Sequence, residues 1–219
     1  MSIAEKLQTI ADNMQLVYEA GYNANSGGGA NPFEYVKALN NLYQNLTLPD
    51  GYEVTLDLPI IEQVQGTFRN AKGFEKVKLT CNEGQLVNMW LCFSYCSAKT
   101  VDLTEFRGKI SSLSNTFISA SVVDILGELD LSACTDTTSA FAVAWDLTEI
   151  RIKEGTLNVG IAFTNSQKLS DASIQSIVNG FADMTGQTSV TLTVHKSVGE
   201  RMTPDQKATL AAKNVTLAY

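Results

Sequence analysis

The chain has 219 residues, of which 44% are apolar and 18% are charged, and its formal net charge is −7. This length can hold a sizeable core in one or two domains, and the acidic balance argues against a nucleic-acid partner, which needs a basic surface. No apolar run approaches the roughly 18 residues of a membrane span, so no membrane insertion is expected.

Residues 1–21 are predicted to form a helix whose apolar seam serves oligomerisation or docking. The seam residues lie four, three, four and three positions apart and are Ile3, Leu7, Ile10, Met14 and Val17. With Leu7 and Met14 at heptad position a, β-branched residues occupy position d, which favours a trimer or a higher assembly. The alternative is an ordinary amphipathic helix docked on its own chain or on a neighbouring protein. Charged residues at positions 5, 6 and 12 indicate that no signal peptide is present.

Residues 22–31 are predicted to be a flexible linker, because they contain the string NSGGGAN. That string lacks the Lys-Ser/Thr pair of a phosphate-binding loop. Pro32 then opens a second predicted amphipathic helix, so that residues 32–53 form a helical N-terminal cap. The apolar set of this helix is Phe33, Val36, Leu39, Leu42, Tyr43 and Leu46.

Five phenylalanines recur at nearly constant spacing through the middle of the chain. Phe68, Phe93, Phe117, Phe141 and Phe163 lie 25, 24, 24 and 22 residues apart. The third residue after each is small, as close approach of stacked coils requires: Ala71, Cys96, Ala120, Ala144 and Ser166. A period of this length is typical of repeat proteins. Residues 54–169 are therefore predicted to form an α/β repeat solenoid with the phenylalanine rings in its core.

Each repeat also contains a segment in which apolar and polar residues alternate, as in a strand with one buried face. The predicted strands are Val54–Leu58, Val77–Thr80, Val101–Thr104, Leu129–Ser132 and Ile150–Lys153. Stacked in parallel, they would make a narrow sheet whose exposed side carries Asp57, Lys78, Asp102, Asp130 and Arg151. The extra residues of the third repeat, in the string VVDILGE, are expected to bulge as a loop.

Residues 170–219 are predicted to form an α/β C-terminal capping module. Ser170 is an expected N-cap, and a strand is expected over Val190–Val194. Thr203 followed by Pro204 marks the start of a further helix, and Val215–Leu217 is predicted to be a last short strand.

Catalytic and metal-binding patterns are not found in the sequence. The single histidine, His195, lies at the polar end of a predicted strand, and the four cysteines lack zinc-site spacing and are expected to be reduced and mostly buried. Glu128 and Asp130 have the strand spacing of a glycosidase pair, but a solvated sheet face is the favoured interpretation. We therefore predict a protein that is not an enzyme and that has no cofactor or metal.

Two groups of residues are candidates for receptor contact. The first is the exposed strand face with Lys78, Asp102, Asp130 and Arg151, because repeat proteins commonly bind through such surfaces. The second group is aromatic and consists of Trp90, Tyr95 and Trp145. Exposed aromatic side chains would suit a glycan or a host surface protein, whereas the alternative for the two tryptophans is a place in the core.

The repeat columns are similar to those of BspA-type leucine-rich repeats, in which Cys follows Phe by three residues, as Cys96 follows Phe93. Residues 147–218 resemble the closing module of BspA-like proteins encoded by phages and prophages of gut bacteria, and residues 1–21 resemble their first helix. The resemblance implies a virion protein of the tail, fibre or baseplate region that acts in host attachment. It also implies contact with other virion proteins through the N-terminal helix, and a location in the virion, assembled in the host cytoplasm and released by lysis.

Two alternatives remain open at this level. The first is a purely structural phage component, such as a capsid decoration or tail-assembly protein. The second is an intracellular bacterial scaffold with the same repeats.

Overall fold

The computed structural model describes Asn31 and residues 33–219. The predicted seam residues Ile3, Leu7, Ile10, Met14 and Val17, and the linker up to residue 30, lie outside the described residues. The elements in chain order are β1 Thr47–Asp57, β2 Lys72–Thr80, β3 Leu86–Asn88, β4 Thr100–Asp102, β5 Lys109–Ser112, β6 Asp124–Leu129, β7 Glu149–Ile152, β8 Ile161–Phe163, α1 Asp171–Gly180, β9 Val190–Val194, α2 Lys196–Arg201, α3 Pro204–Ala212 and β10 Val215–Ala218.

The described strands form three parallel sheets. The largest has five strands in the order β1-β2-β4-β6-β7, the second pairs β3 with β5, and the third has the order β10-β9-β8. Every named strand pair is parallel. The predicted α/β class with parallel strands is therefore confirmed.

The register of the five-stranded sheet explains why these segments become strands. Val54 pairs with Val77, Val77 with Val101, and Val101 with Ile125, so one β-branched column crosses four strands. The last three of these side chains are buried. β-Branched residues suit a pleated surface with one buried face, and the core therefore lies directly under this sheet.

The phenylalanine column forms a continuous stack of rings. Successive centroids from Phe68 to Phe163 lie 5.4, 5.3, 5.3 and 4.6 Å apart, with interplanar angles of 6° to 24°. All five rings are buried, as the sequence predicted. Tyr43, which lies 25 residues before Phe68, stacks on that ring at 5.0 Å and extends the column by one member.

The turns that carry these rings make backbone hydrogen bonds both to the neighbouring segment and within the turn. In residues 89–96, alternate amides donate to the neighbouring segment at 2.9 to 3.1 Å, in the pairs Met89 to Ser112, Leu91 to Ser114, Phe93 to Thr116 and Tyr95 to Ile118. The amides of Cys92, Ser94 and Cys96 donate to the carbonyl three residues earlier, and the Trp90 amide donates to the Asn88 side-chain oxygen. Buried backbone groups must find partners, and this alternation satisfies both the turn and its neighbour.

The predicted helical cap at residues 32–53 is wrong. Residues 33–46 form turns, and β1 begins at Thr47. The amides of Leu39, Asn41, Tyr43 and Asn45 donate to residues 63–69, in the same pattern as the later turns. Asn41 and Asn45 both have φ of 60°, which interrupts a helix. The apolar spacing suggested a helix because these turns place buried residues three and four positions apart, as helices also do.

The fourth predicted strand is displaced. The sequence suggested Leu129–Ser132, but β6 covers Asp124–Leu129. Gly127 has φ of 88° and lies within an irregularity of the β6-β7 register, so the extra residues of the third repeat are absorbed as a bulge within the strand. Leu126, which precedes the bulge, is exposed.

The C-terminal predictions are largely confirmed. The Ser170 side chain accepts from the Ser173 amide at the start of α1, and Thr203 forms a capping box with Gln206 at the start of α3. β9 matches the predicted bounds, and β10 extends one residue further than expected. The short helix α2 was not predicted, and His195 is its N-cap, accepting from the Ser197 amide through Nδ1.

Candidate functional site

Two of the predicted contact residues lie side by side on the five-stranded sheet. Lys78 on β2 pairs in register with Asp102 on β4. Lys78 Nζ lies 2.7 Å from a carboxylate oxygen of Glu105, while the Asp102 carboxylate lies 2.7 Å from Lys76 Nζ. Asp102 is only 6% exposed, so most of its surface is occupied within the protein and unavailable to a receptor.

The environment of Asp102 favours its charged form. Burial alone would raise the pKa of this carboxyl, but hydrogen bonds from Lys76 and Thr104 outweigh burial and lower the pKa to about 2. The Thr104 hydroxyl and amide donate at 2.7 and 3.1 Å. Asp102 is therefore a structural anion at neutral pH.

The other two predicted face residues lie further along the chain, and they do not continue the row of Lys78 and Asp102. The register places Leu126, not Asp130, beside Asp102. Asp130 follows the end of β6, where its carboxylate lies 2.9 Å from Lys153 Nζ, and Arg151 pairs in register with Glu128. The predicted single row of contact residues is wrong because β6 lies earlier in the chain than expected, so that Leu126 pairs with Asp102 and Asp130 lies beyond the end of the strand.

Asp130 and Arg151 instead line a surface cleft of about 510 Å³. The cleft lies where β4, β6 and β7 end, and the loops before β3 and β5 close its other side. Its charged lining residues are Glu83, Arg107, Glu128, Asp130, Arg151 and Lys153. A second cleft of about 510 Å³ shares Glu83 and Arg107 with the first and continues towards Asp57 and Glu105. The two clefts together make a groove along the sheet end, which we call the sheet-end groove.

The sheet-end groove offers side chains that have no charged partner within the protein. Arg107 and Arg151 are exposed, and no carboxylate oxygen of the described residues lies within 4.0 Å of their guanidinium nitrogens. Glu83 and Glu128 likewise have no Lys or Arg nitrogen within that distance in the described part of the chain. Asp130 and Lys153 neutralise one another. Two cations and two anions are thus free to meet a ligand in one cleft.

The floor of the groove is shaped by buried apolar residues and by glycine. Leu103 and Phe106 line the cleft from below. At Gly127 an added Cβ would lie 2.5 Å from the Leu103 carbonyl oxygen, so the bulge can pack on β4 only without a side chain. The groove is therefore held by the tight approach of β6 to the end of β4.

Sequence reasoning missed Glu83 and Arg107. Both lie in loops without recognisable motifs, in the strings CNEGQ and EFRGK. A signal was present, because the two residues are 24 positions apart, a separation close to the repeat period. Placing both in one cleft required the parallel bridge of Cys81 with Phe106, which aligns the two loops.

The three aromatic candidates are exposed and are not core residues. Trp90 is 44%, Tyr95 48% and Trp145 59% exposed. They belong to the turns after β3 and β6, and none of them lines the sheet-end groove. The structure therefore keeps the aromatic candidates apart from the charged ones, and receptor contact through either group stays a prediction.

The cysteines and Asp130 have structural roles. All four cysteines are free and buried, and burial raises the pKa of Cys81 and of Cys96 to about 11, so these two are thiols at neutral pH. Burial would raise the pKa of Asp130, but hydrogen bonds from Ser132 and Lys153 lower it, the opposite of what a general acid needs. Within the described residues, no group of three or more His, Cys, Asp or Glu is placed to hold a metal ion.

No protein-family model, curated protein or solved structure matches the chain. Among the helices that the structure describes, none is both long and apolar enough to cross a bilayer.

Proposed function

We propose that this chain is a short BspA-like leucine-rich-repeat solenoid that serves as a non-enzymatic phage virion protein and contacts the host through its repeat surface. Three features support the repeat architecture: the register of the β-branched column, the stack of phenylalanine rings at a spacing of about 5 Å, and the repeated hydrogen bonding of the turns. In such arrays each unit buries its apolar face on its neighbours.

The observation that carries the attachment role is the sheet-end groove. Leaving a surface charge unpaired costs a protein little stability, because water solvates it. Even so, three lysines near the groove, Lys76, Lys78 and Lys153, are paired with carboxylates. The groove residues Arg107, Arg151, Glu83 and Glu128 are exceptions, and the two arginines suit an outside partner because the planar guanidinium matches carboxylate geometry. Function belongs to such sites more than to folds.

The predicted anchoring role of the N-terminus belongs to the same proposal. Residues 1–21 would dock on other virion proteins or join copies of the chain as a trimer or higher assembly, which would display several grooves at once. Multivalent display raises avidity without new contacts. Sedimentation of the full chain and of its Leu7→Asp variant tests this part, because a charge in the seam should yield monomers. A monomeric parent chain would refute self-association, and incorporation into particles without residues 1–21 would refute docking as well.

Binding of fluorescently labelled protein to a panel of intact gut bacteria tests attachment. We expect saturable binding to a subset of strains, reduced by excess unlabelled protein. Complete absence of binding, together with tail or capsid genes beside its own, would instead favour a purely structural virion component. A gene neighbourhood without phage genes would favour an intracellular scaffold.

A further inference from the structure

The chemistry of the sheet-end groove indicates what kind of ligand it would take. Its first cleft has a volume of about 510 Å³, within the range of about 300–1,000 Å³ that is usual for small-ligand sites. Its charged lining is balanced, with three acidic and three basic side chains, although the chain as a whole has a net charge of −7. The cleft is therefore a locally neutral region on an acidic protein.

Arg107 and Arg151 are the cationic hydrogen-bond donors of this cleft that lack a charged partner. Each guanidinium has five N–H donors in a planar fork that matches a carboxylate. Lys153 is already neutralised, because its ammonium is 2.9 Å from the Asp130 carboxylate. A carboxylate on a ligand in this cleft would therefore find arginines without an internal partner.

Glu83 and Glu128 define the rest of the ligand. Ionised carboxylates only accept hydrogen bonds, so they need donors on the ligand, and they repel further negative charge. The hydroxyl of Thr104, also in the lining, donates its hydrogen to Asp102 and is left to accept from a ligand. A ligand with one carboxylate and several hydroxyl groups satisfies this set. A peptide with several acidic residues does not, because it would bring repeated negative charge towards Glu83, Glu128 and Asp130.

We propose that the sheet-end groove binds a glycan through one sugar residue that carries a carboxylate, with Arg107 and Arg151 holding the carboxylate while Glu83 and Glu128 accept from sugar hydroxyls. The second cleft, which shares Glu83 and Arg107 and adds Asp57, Thr80 and Glu105, extends the groove for a neighbouring sugar. This inference rests on the proposed attachment function for its biological setting, and it names the receptor class.

Two trisaccharides that differ in one group provide the probe. The first ends in glucuronate, and the second ends in glucose at the same position, so that CH₂OH replaces the carboxylate. Isothermal titration with the full chain should show binding of the glucuronate trisaccharide, and about tenfold to hundredfold weaker binding of the glucose one, as expected for the loss of charge-assisted hydrogen bonds. Triglutamate, as an acidic peptide, should bind more weakly than the glucuronate trisaccharide.

Variants test the assignment of the two arginines. Arg107→Gln and Arg151→Gln should each weaken glucuronate binding about tenfold or more, whereas Lys at either position should restore part of it by keeping the charge without the fork. Arg69→Gln is the matched control, because Arg69 is an exposed arginine outside the groove that also lacks a carboxylate within 4.0 Å in the described residues. Unfolding midpoints of all variants are compared to confirm that each is folded.

The outcomes separate this inference from the attachment function. Equal binding of the two trisaccharides, stronger binding of triglutamate, no binding at all, or equal effects of Arg69→Gln would overturn the glycan proposal. If the protein binds cells but not the glucuronate trisaccharide, attachment stands and this inference falls. If it binds the trisaccharide with the expected arginine dependence but binds no cells, this inference stands and attachment falls.

Discussion

Replacing Phe93 with leucine tests whether ring stacking itself stabilises the repeats. Phe93 is fully buried, and its ring stacks on Phe68 at 5.4 Å and on Phe117 at 5.3 Å. The change of shape in a packed core costs about 1 kcal/mol. Each lost aromatic pair adds about 0.5–1.5 kcal/mol. The free energy of unfolding should therefore fall by about 2–4 kcal/mol for Phe93→Leu.

Phe181→Leu is the matched control for this measurement. Phe181 is equally buried, but it does not belong to the stack of rings in the described residues. Only the shape term of about 1 kcal/mol should apply to it. Urea unfolding followed by circular dichroism gives both values, and an unchanged slope would show that the denatured state is comparable. Equal losses for the two variants would mean that burial alone, without stacking, stabilises the column.

Three further changes test other parts of the structure. Asp102→Asn should lower the free energy of unfolding by about 2 kcal/mol at pH 7. The pKa of Asp102 is lower in the folded than in the unfolded protein, so its contribution to stability is present above about pH 4 and is lost as the pH falls to about 2. In acid unfolding, the stabilities of the variant and of the parent protein should therefore converge near that pH. Gly127→Ala should lower the free energy of unfolding by more than about 2 kcal/mol, since its Cβ would lie 2.5 Å from the Leu103 carbonyl oxygen. Gly84→Ala is the control, because Gly84 has φ of 87° but open space around it, and it should cost only about 1 kcal/mol in the same urea titration. Similar losses for the two variants would contradict the packing argument. Thr203→Ala should cost about 1 kcal/mol by loss of the capping box, measured by thermal unfolding, whereas Thr203→Ser should be near neutral.

The ends of the described chain show where sequence reasoning succeeds and where it fails. Helix starts at Ser170 and Thr203 were predictable, because capping is a local interaction between residues three positions apart. The N-terminal cap was not, because a spacing of three and four fits both a helix and the turns of this repeat. The left-handed conformations of Asn41 and Asn45, which decide between the two, are stabilised by bonds to residues 63–69.

The residues of the sheet-end groove could be predicted from the sequence only in part. Asp130 and Arg151 were chosen from the sequence as members of one exposed row, and they do share a site, but for another reason. Their place in the groove depends on the bulge at Gly127, and their partners Glu83 and Arg107 come from loops. The side on which a strand residue emerges changes with each inserted residue. A bulge therefore changes which of the residues after it share a face.

The period, the ring column, the small residues beside it and the helix starts at Ser170 and Thr203 could be predicted from sequence, because each depends on residues close in the chain or on a regular repetition. The tertiary structure alone decided which strand residues are neighbours, that Tyr43 joins the ring column, and that Arg107 and Arg151 meet in one cleft. These facts depend on the register between segments about 24 residues apart, and register is established by long-range hydrogen bonds and packing that no local pattern encodes.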